Sequence, residues 1–183
     1  MNVLGRAVFM DRDGTLIDDV GYPSRADDVR LLPGAAEALS RFGAGGYKRI
    51  VISNQSGIGR GLITQAQAKA VHERLLAVLA EAGAEIDAAY YCPHAPDESC
   101  SCRKPSPELI LQAARELDLD PSGSFMIGDK PSDVEAGVRA GCRTILLSSR
   151  PTEARSGVEA DAVVAGWPDA VEHVLTADRA ISG

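Results

Sequence analysis

The apolar run Ala7-Val8-Phe9-Met10 leads straight into Asp11-Arg12-Asp13-Gly14-Thr15, and no other junction constrains the fold of this chain as tightly. Consecutive apolar residues suit a strand buried on both faces. Two carboxylates one residue apart at the end of such a strand sit where open α/β sheets bind their ligands. Adjacent carboxylates repel, so keeping both ionised calls for a cation or a shared proton. A carboxylate can also attack phosphorus and form an aspartyl-phosphate. Its neighbour can protonate the leaving oxygen and later take a proton from water. The plain alternative is a surface Asp-Gly turn, which the preceding strand and the following Thr argue against.

The rest of the chain alternates strand-like and helix-like patterns. Strands are expected at Arg6 to Met10, Arg49 to Ser53, Ala88 to Tyr91, Ser124 to Gly128, Arg143 to Leu147 and Ala162 to Val164. Helices are expected from Gly34 to Phe42, from Thr64 to Ala82, from Ser106-Pro107-Glu108 onward, from Ser132 (capped with Glu135) and from Asp169 to Leu175. The second of these is the clearest. Thr64 and Gln67 make a capping box, Val71, Leu75, Val78, Leu79 and Ala82 fall on one face, and Gly83 is a natural stop. Strand and helix in alternation predict an α/β fold, a Rossmann-like doubly wound parallel sheet covered on both faces. With 183 residues and no repeat or linker, a single domain over 1–183 is expected, with one long irregular stretch from Pro93 to Pro107.

That stretch carries Cys92-Pro93-His94 at its start and then Cys100-Ser101-Cys102. Three thiolates and an imidazole make a tetrahedral zinc set with no open position, so a structural Zn²⁺ is predicted on Cys92, His94, Cys100 and Cys102 in a loop over 92–102. Buried or redox cysteines beside a chance histidine are the alternative. The fourth cysteine, Cys142, reads as a small core residue, Trp167 as packing at a helix start, and His72 and His173 as surface or core-edge side chains rather than catalysts.

Three further segments suit a phosphorylated ligand. Ser53-Asn54-Gln55-Ser56-Gly57-Ile58-Gly59-Arg60-Gly61 follows a strand with hydroxyl, amide and free N–H groups for phosphate oxygens, the equal alternative being a polar βα loop whose glycines serve geometry only. Arg103-Lys104-Pro105 could offer two cations to a transferring phosphoryl group, although an isolated Arg-Lys reads more simply as an exposed basic pair. Gly128-Asp129-Lys130-Pro131-Ser132-Asp133 follows a strand and places Asp129 to complete a Mg²⁺ site with Asp11. Asp133 reads as a first-turn helix carboxylate with a structural role.

Composition narrows the partners. A formal net charge of -7 disfavours nucleic acid or an anionic membrane, and no apolar run approaches the ~20 residues of a spanning helix. No secretory signal is visible at the N-terminus. A cytoplasmic protein, expected to be a monomer, with a small-molecule substrate fits these features.

In order and in type, Asp-x-Asp-Gly-Thr, strand-terminal Ser-Asn, a later Lys and Gly-Asp-x-x-x-Asp resemble the haloacid-dehalogenase superfamily of phosphatases. Cys-Pro-His, Cys-x-Cys and Arg-Lys-Pro, together with Asn54 to Gly61, Gly21-Tyr22 and Gly128-Asp129-Lys130, resemble more narrowly the D-glycero-D-manno-heptose-1,7-bisphosphate 7-phosphatases. The related histidinol-phosphate phosphatases share the cysteine pattern and are the alternative. The resemblance implies a haloacid-dehalogenase fold without a large cap domain. It implies Asp11 as nucleophile and Asp13 as general acid/base, with Ser53, Arg103 and Lys104 stabilising the phosphoryl group. Mg²⁺ would lie on Asp11, the Asp13 carbonyl and Asp129. Substrate contacts would come from Asp19, Val20, Gly21, Tyr22, Ser53, Asn54, Gln55, Ser56, Arg103, Lys104 and Lys130. The implied substrate is a small phosphorylated sugar losing its C7 phosphate.

Overall fold

The structure is a computed structural model that describes residues 4–148 and 159–179. Six parallel strands form one sheet: β1 (Arg6–Met10), β2 (Tyr47–Asn54), β3 (Ala88–Cys92), β4 (Phe125–Gly128), β5 (Arg143–Leu147) and β6 (Ala162–Val164). Their order across the sheet is β3-β2-β1-β4-β5-β6. The chain therefore winds outward from β1 in one direction and returns to start again at β4. This leaves a crevice where the order reverses, beyond the carboxyl ends of β1 and β4. Asp11 follows β1 and Asp129 follows β4, so both carboxylates enter that crevice.

Alternation along the strands builds two cores. Val8 and Met10 of β1, Val51 of β2 and Ile127 of β4 face helices α1 (Ala35–Ala44), α3 (Gln65–Glu81) and α6 (Trp167–Arg179). Those helices bury Leu39 and Phe42, Val71, Leu75 and Leu79, and Val171 and Val174. Ala7, Phe9, Ile52 and Met126 face the opposite layer, where α4 (Glu108–Glu116) and α5 (Pro131–Ala140) contribute Leu109, Ile110, Ala113 and Ala136. Neither face of the central strands meets water, as the apolar run before Asp11 requires.

The expected elements are present with shifted ends. β2 begins at Tyr47 and runs one residue past Ser53, and α6 is longer than its apolar pattern. The box of Thr64 and Gln67 opens α3, whose Val71, Leu75 and Leu79 are buried. Ser132 with Glu135 is not the cap of α5. Pro131 takes the first helical position, so Lys130 is the N-cap residue, and Asp133 Oδ2 accepts its N–H at 3.0 Å. Likewise α4 starts after Pro107, with Ser106 Oγ accepting the Glu108 N–H at 3.3 Å. The polar loop after β2 folds into a short helix, α2 (Ser56–Gly59), that pattern alone does not signal. No large cap domain is inserted among the described residues; loops after β1, β2, β3 and β4 surround the crevice.

Candidate active site

Asp11 and Asp13 reach the sheet edge because β1 stops at Met10 and the chain turns sharply there. The N–H groups of Leu16 and Ile17 return to the Arg12 carbonyl at 2.9 and 3.1 Å. Gly14 permits this turn with φ +83°, and any Cβ there would overlap the Asp129 carboxylate. Thr15 Oγ1 lies 3.3 Å from Asp129 Oδ1, and its carbonyl accepts the Trp167 indole N–H at 2.9 Å. The loop carrying Asp11 and Asp13 is thus fastened both to the residue after β4 and to α6.

A cavity of about 340 Å³ opens over this edge. Its lining includes Asp11, Asp13, Asp19, Gly21, Tyr22, Asn54, Gln55, Ser56, Arg103, Lys104, Lys130, Ser132 and Asp133. The residues expected at the site converge here with three exceptions. Ser53 is buried beneath the cavity, with its Oγ accepting the Gln55 amide at 3.1 Å. Val20 points outward and is more than half exposed. Asp129 borders a neighbouring cleft with Gly14, although one of its carboxylate oxygens remains within 4.8 Å of those of Asp11 and Asp133.

Lys104 is the electrostatic centre. Its side chain is 2 % exposed, and its Nζ lies 2.9 Å from Asp11 Oδ1, 2.7 Å from Asp133 Oδ1 and 2.7 Å from the Ile52 carbonyl. Burial alone would lower its pKa, but the two carboxylates outweigh burial and raise it, so the ammonium stays charged. Asn54 fixes the lysine's backbone: its Nδ2 donates to the Lys104 carbonyl at 3.1 Å and its Oδ1 accepts the Lys104 N–H at 3.0 Å. Asp133 was expected to serve the helix only. It does cap α5, but it also supplies the second carboxylate on Lys104, and its pKa is raised, chiefly by burial. Asp129 is pushed up to about 6, first by burial and further by the Asp11 and Asp133 charges, against the opposing pull of Lys130.

Asp13 is held from behind. Arg12 Nε donates to Asp13 Oδ1 and Nη2 to Oδ2, both at 3.0 Å. Gln55 Nε2 donates to the same Oδ2 at 2.9 Å, while its Oε1 accepts from Arg12 Nη2 at 2.9 Å. Across the cavity, Lys130 Nζ meets Asp19 Oδ2 at 3.1 Å and ties the loop after β1 to the start of α5. Arg103 Nη1 donates to the His94 carbonyl at 3.3 Å. Arg12 and Asp133 are the residues that sequence reasoning did not place at the site. Arg12 gives only one hint, a charge inside an otherwise buried junction. Asp133 gives another, its spacing from Asp129.

Cys92, His94, Cys100 and Cys102 also converge, with their ligand atoms all within 4.8 Å of one another. Cys92 Sγ is 3.8 Å from Cys100 Sγ and 3.5 Å from His94 Nδ1, and Cys102 Sγ is 3.3 Å from that nitrogen. A tetrahedral ion with Zn–S of about 2.3 Å requires sulfurs about 3.8 Å apart, so the donor set and its spacing fit zinc. The loop docks on α2 through Gln55 N–H to the Cys92 carbonyl at 2.7 Å and Gly59 N–H to the Pro93 carbonyl at 2.8 Å.

Comparison with known proteins accords with this geometry. Residues 101–175 match the family described as HAD-hyrolase-like. A protein of Photorhabdus laumondii named D-glycero-beta-D-manno-heptose-1,7-bisphosphate 7-phosphatase is 38% identical over 172 residues, 89% of this chain and 92% of its own. A Helicobacter pylori (strain J99) protein of the same name is 44% identical over 153 residues, 82% of this chain and 88% of its own. Among solved structures, the D,D-heptose 1.7-bisphosphate phosphatase from B. bronchiseptica, complexed with magnesium and phosphate, superposes with a TM-score of 0.86 at 33% identity, covering 94% of this chain and 99% of that one. A chain so similar in sequence and in overall structure belongs to the D-glycero-D-manno-heptose-1,7-bisphosphate 7-phosphatase family of haloacid-dehalogenase-like hydrolases, and is a phosphatase.

Proposed function

We propose that this phosphatase removes the C7 phosphate of D-glycero-D-manno-heptose 1,7-bisphosphate through an aspartyl-phosphate on Asp11, acting as a cytoplasmic monomer. The observation that carries the reading is the convergence of Asp11 and Asp13 on one cavity with Arg103, Lys104 and Lys130. Three cations around two carboxylates suit a ligand that brings its own negative charge to the nucleophile.

Asp11 attacks the phosphorus, and the bond to the sugar oxygen breaks as the new P–O bond forms. Lys104 orients Asp11 through its 2.9 Å contact and offsets charge gathering on the phosphoryl oxygens. Arg103 reaches the same oxygens from the loop held by the cysteines. Asp13 protonates the departing sugar oxygen, then removes a proton from the water that cleaves the aspartyl-phosphate. Lys130, paired with Asp19, and the loop carrying Gly21 and Tyr22 face the part of the ligand away from the reacting phosphate. Oxygen donors of Asp11 and Asp129 lie close together and, with the Asp13 carbonyl, would suit a hard dication such as Mg²⁺, while the neighbouring Asp133 is engaged with Lys104. When bound, that ion would neutralise phosphoryl oxygens and the charge on the nucleophile. Zn²⁺ on Cys92, His94, Cys100 and Cys102 would brace the segment that presents Arg103 and Lys104.

The test is phosphate release from heptose 1,7-bisphosphate, other sugar bisphosphates and histidinol phosphate, assayed side by side. The heptose bisphosphate is expected to have the highest kcat/KM. Preference for histidinol phosphate would overturn the substrate assignment while leaving the phosphatase chemistry intact.

A further inference from the structure

Arg12 is among the largest fully buried side chains of the protein, yet the reaction as derived gives it no task. A guanidinium with 1 % exposure is costly unless it is paired and hydrogen-bonded. Its neighbours answer that demand in an unusual way. Two of its nitrogens grip both oxygens of Asp13, the same Nη2 also reaches Gln55, and Tyr91 presents its ring 5.7 Å from the guanidinium carbon. Gln55 completes the triangle, and its amide has no freedom to flip. Its oxygen faces the Arg12 donor, and its nitrogen faces two acceptors, Asp13 Oδ2 and Ser53 Oγ. Asp13 and Gln55 line the catalytic cavity, whereas Arg12 opens on a separate, largely apolar cavity with His72 and Tyr91. Arg12 therefore stands behind Asp13 as seen from the substrate and acts on the reaction only through it.

We infer that Arg12 and Gln55 are positioning residues that fix the Asp13 carboxyl in one rotamer and one plane, so that the proton it exchanges with the leaving group is delivered along a set direction. The bidentate fork sets the plane, since two parallel N–H···O contacts cannot be kept through rotation of the carboxyl. Gln55 sets the side facing the cavity. Ser53, the buried hydroxyl at the end of β2, acts one step further back by holding the Gln55 amide. A misplaced acid forfeits most of its catalytic advantage even when its chemistry is unaltered.

This inference rests on Asp13 being the acid for the leaving group, and the experiment separates failure of that premise from failure of the inference. kcat/KM is measured for a sugar phosphate, whose alkoxide needs a proton to leave, and for 4-nitrophenyl phosphate, whose phenolate does not. The quantity read is the ratio of the two. Asp13→Asn is expected to lower that ratio about a hundredfold; an unchanged ratio in this variant would overturn the premise and the inference with it. Arg12→Met, which keeps the length and loses the fork, and Gln55→Met are each expected to lower the ratio about tenfold. Gln55→Met creates no buried uncompensated charge and decides the matter if Arg12→Met does not fold. If Gln55→Met slows both substrates equally and leaves the ratio within about twofold of the parent, the residue has a merely structural role and the inference fails.

Discussion

At the scale of single residues, the site is organised by charge pairs out of contact with water, and it responds to substitution accordingly. Asp11→Asn preserves the shape and an acceptor for Lys104 but removes the proposed nucleophile. Turnover of the sugar phosphate is expected to fall at least about a thousandfold, with an unaltered circular dichroism spectrum. Substantial residual turnover would remove Asp11 from the role proposed for it. Lys104→Met has a different signature. It leaves Asp11 and Asp133 facing each other, buried, with the cation between them gone. Breaking such an arrangement costs about 3 kcal/mol or more, which urea unfolding without added divalent cation will read directly. Asp11, Asp13, Asp129 and Lys104 were legible in the sequence because each follows a strand or a recognisable loop signal. Arg12 and Asp133 were not, for a physical reason. Arg12 acquires its role only when Gln55 from the end of β2 and Tyr91 from β3 close around it. A first-turn carboxylate such as Asp133 looks the same in sequence whether or not a distant lysine arrives.

At the scale of elements, local signals were reliable where local energetics decide the outcome. The Thr64 box and the face of Val71, Leu75 and Leu79 belong to α3 alone and could be read from it. The helix α2 could not be read. Two of its four residues are glycines, and its backbone is held by the cysteine loop through Gly59 and Pro93, a contact between segments far apart in the chain. That dependence yields a prediction. Removing the metal proposed for the four cysteine-loop ligands should raise amide exchange in both 92–107 and 54–61 and lower activity, because the two segments share hydrogen bonds. Full activity in a verified zinc-free protein would contradict the bracing role. A second element-scale prediction concerns the β2–β3 edge. Burial alone would raise the Asp87 pKa, but the Arg49 side chain and N–H, together with Lys48, hold it down to about 2. A folded-state pKa below the unfolded value of about 3.9 stabilises the fold above that value, and the contribution fades as pH falls from about 4 toward 2. Discounted for solvent screening, Asp87→Asn is expected to cost about 1 kcal/mol at neutral pH. The cost should shrink steadily in urea titrations run from pH 5 to pH 2.5.

At the scale of the whole molecule, the two apolar cores are not independent bodies, because the same strands supply both. In β1, Val8 and Met10 serve one layer and Ala7 and Phe9 the other; β4 divides Ile127 and Met126 in the same way. Losing either helix layer exposes one face of strands whose other face is still packed, so neither layer has a stable state without its partner. Trp167, the only tryptophan, tests this from one side. It is buried against Phe42 with ring centroids 6.2 Å apart, and its indole N–H holds the Thr15 carbonyl in the loop that follows β1. Its fluorescence therefore reports the α1–α6 layer and the loop carrying Asp11 and Asp13, while far-ultraviolet circular dichroism reports helices of both layers. The two signals are expected to share one midpoint and one slope in urea, with activity lost over the same range. A tryptophan transition preceding loss of helix would mean that α6 and the loop after β1 come away as a unit, leaving the α4–α5 layer folded on the sheet. The shared strands would then not couple the two cores.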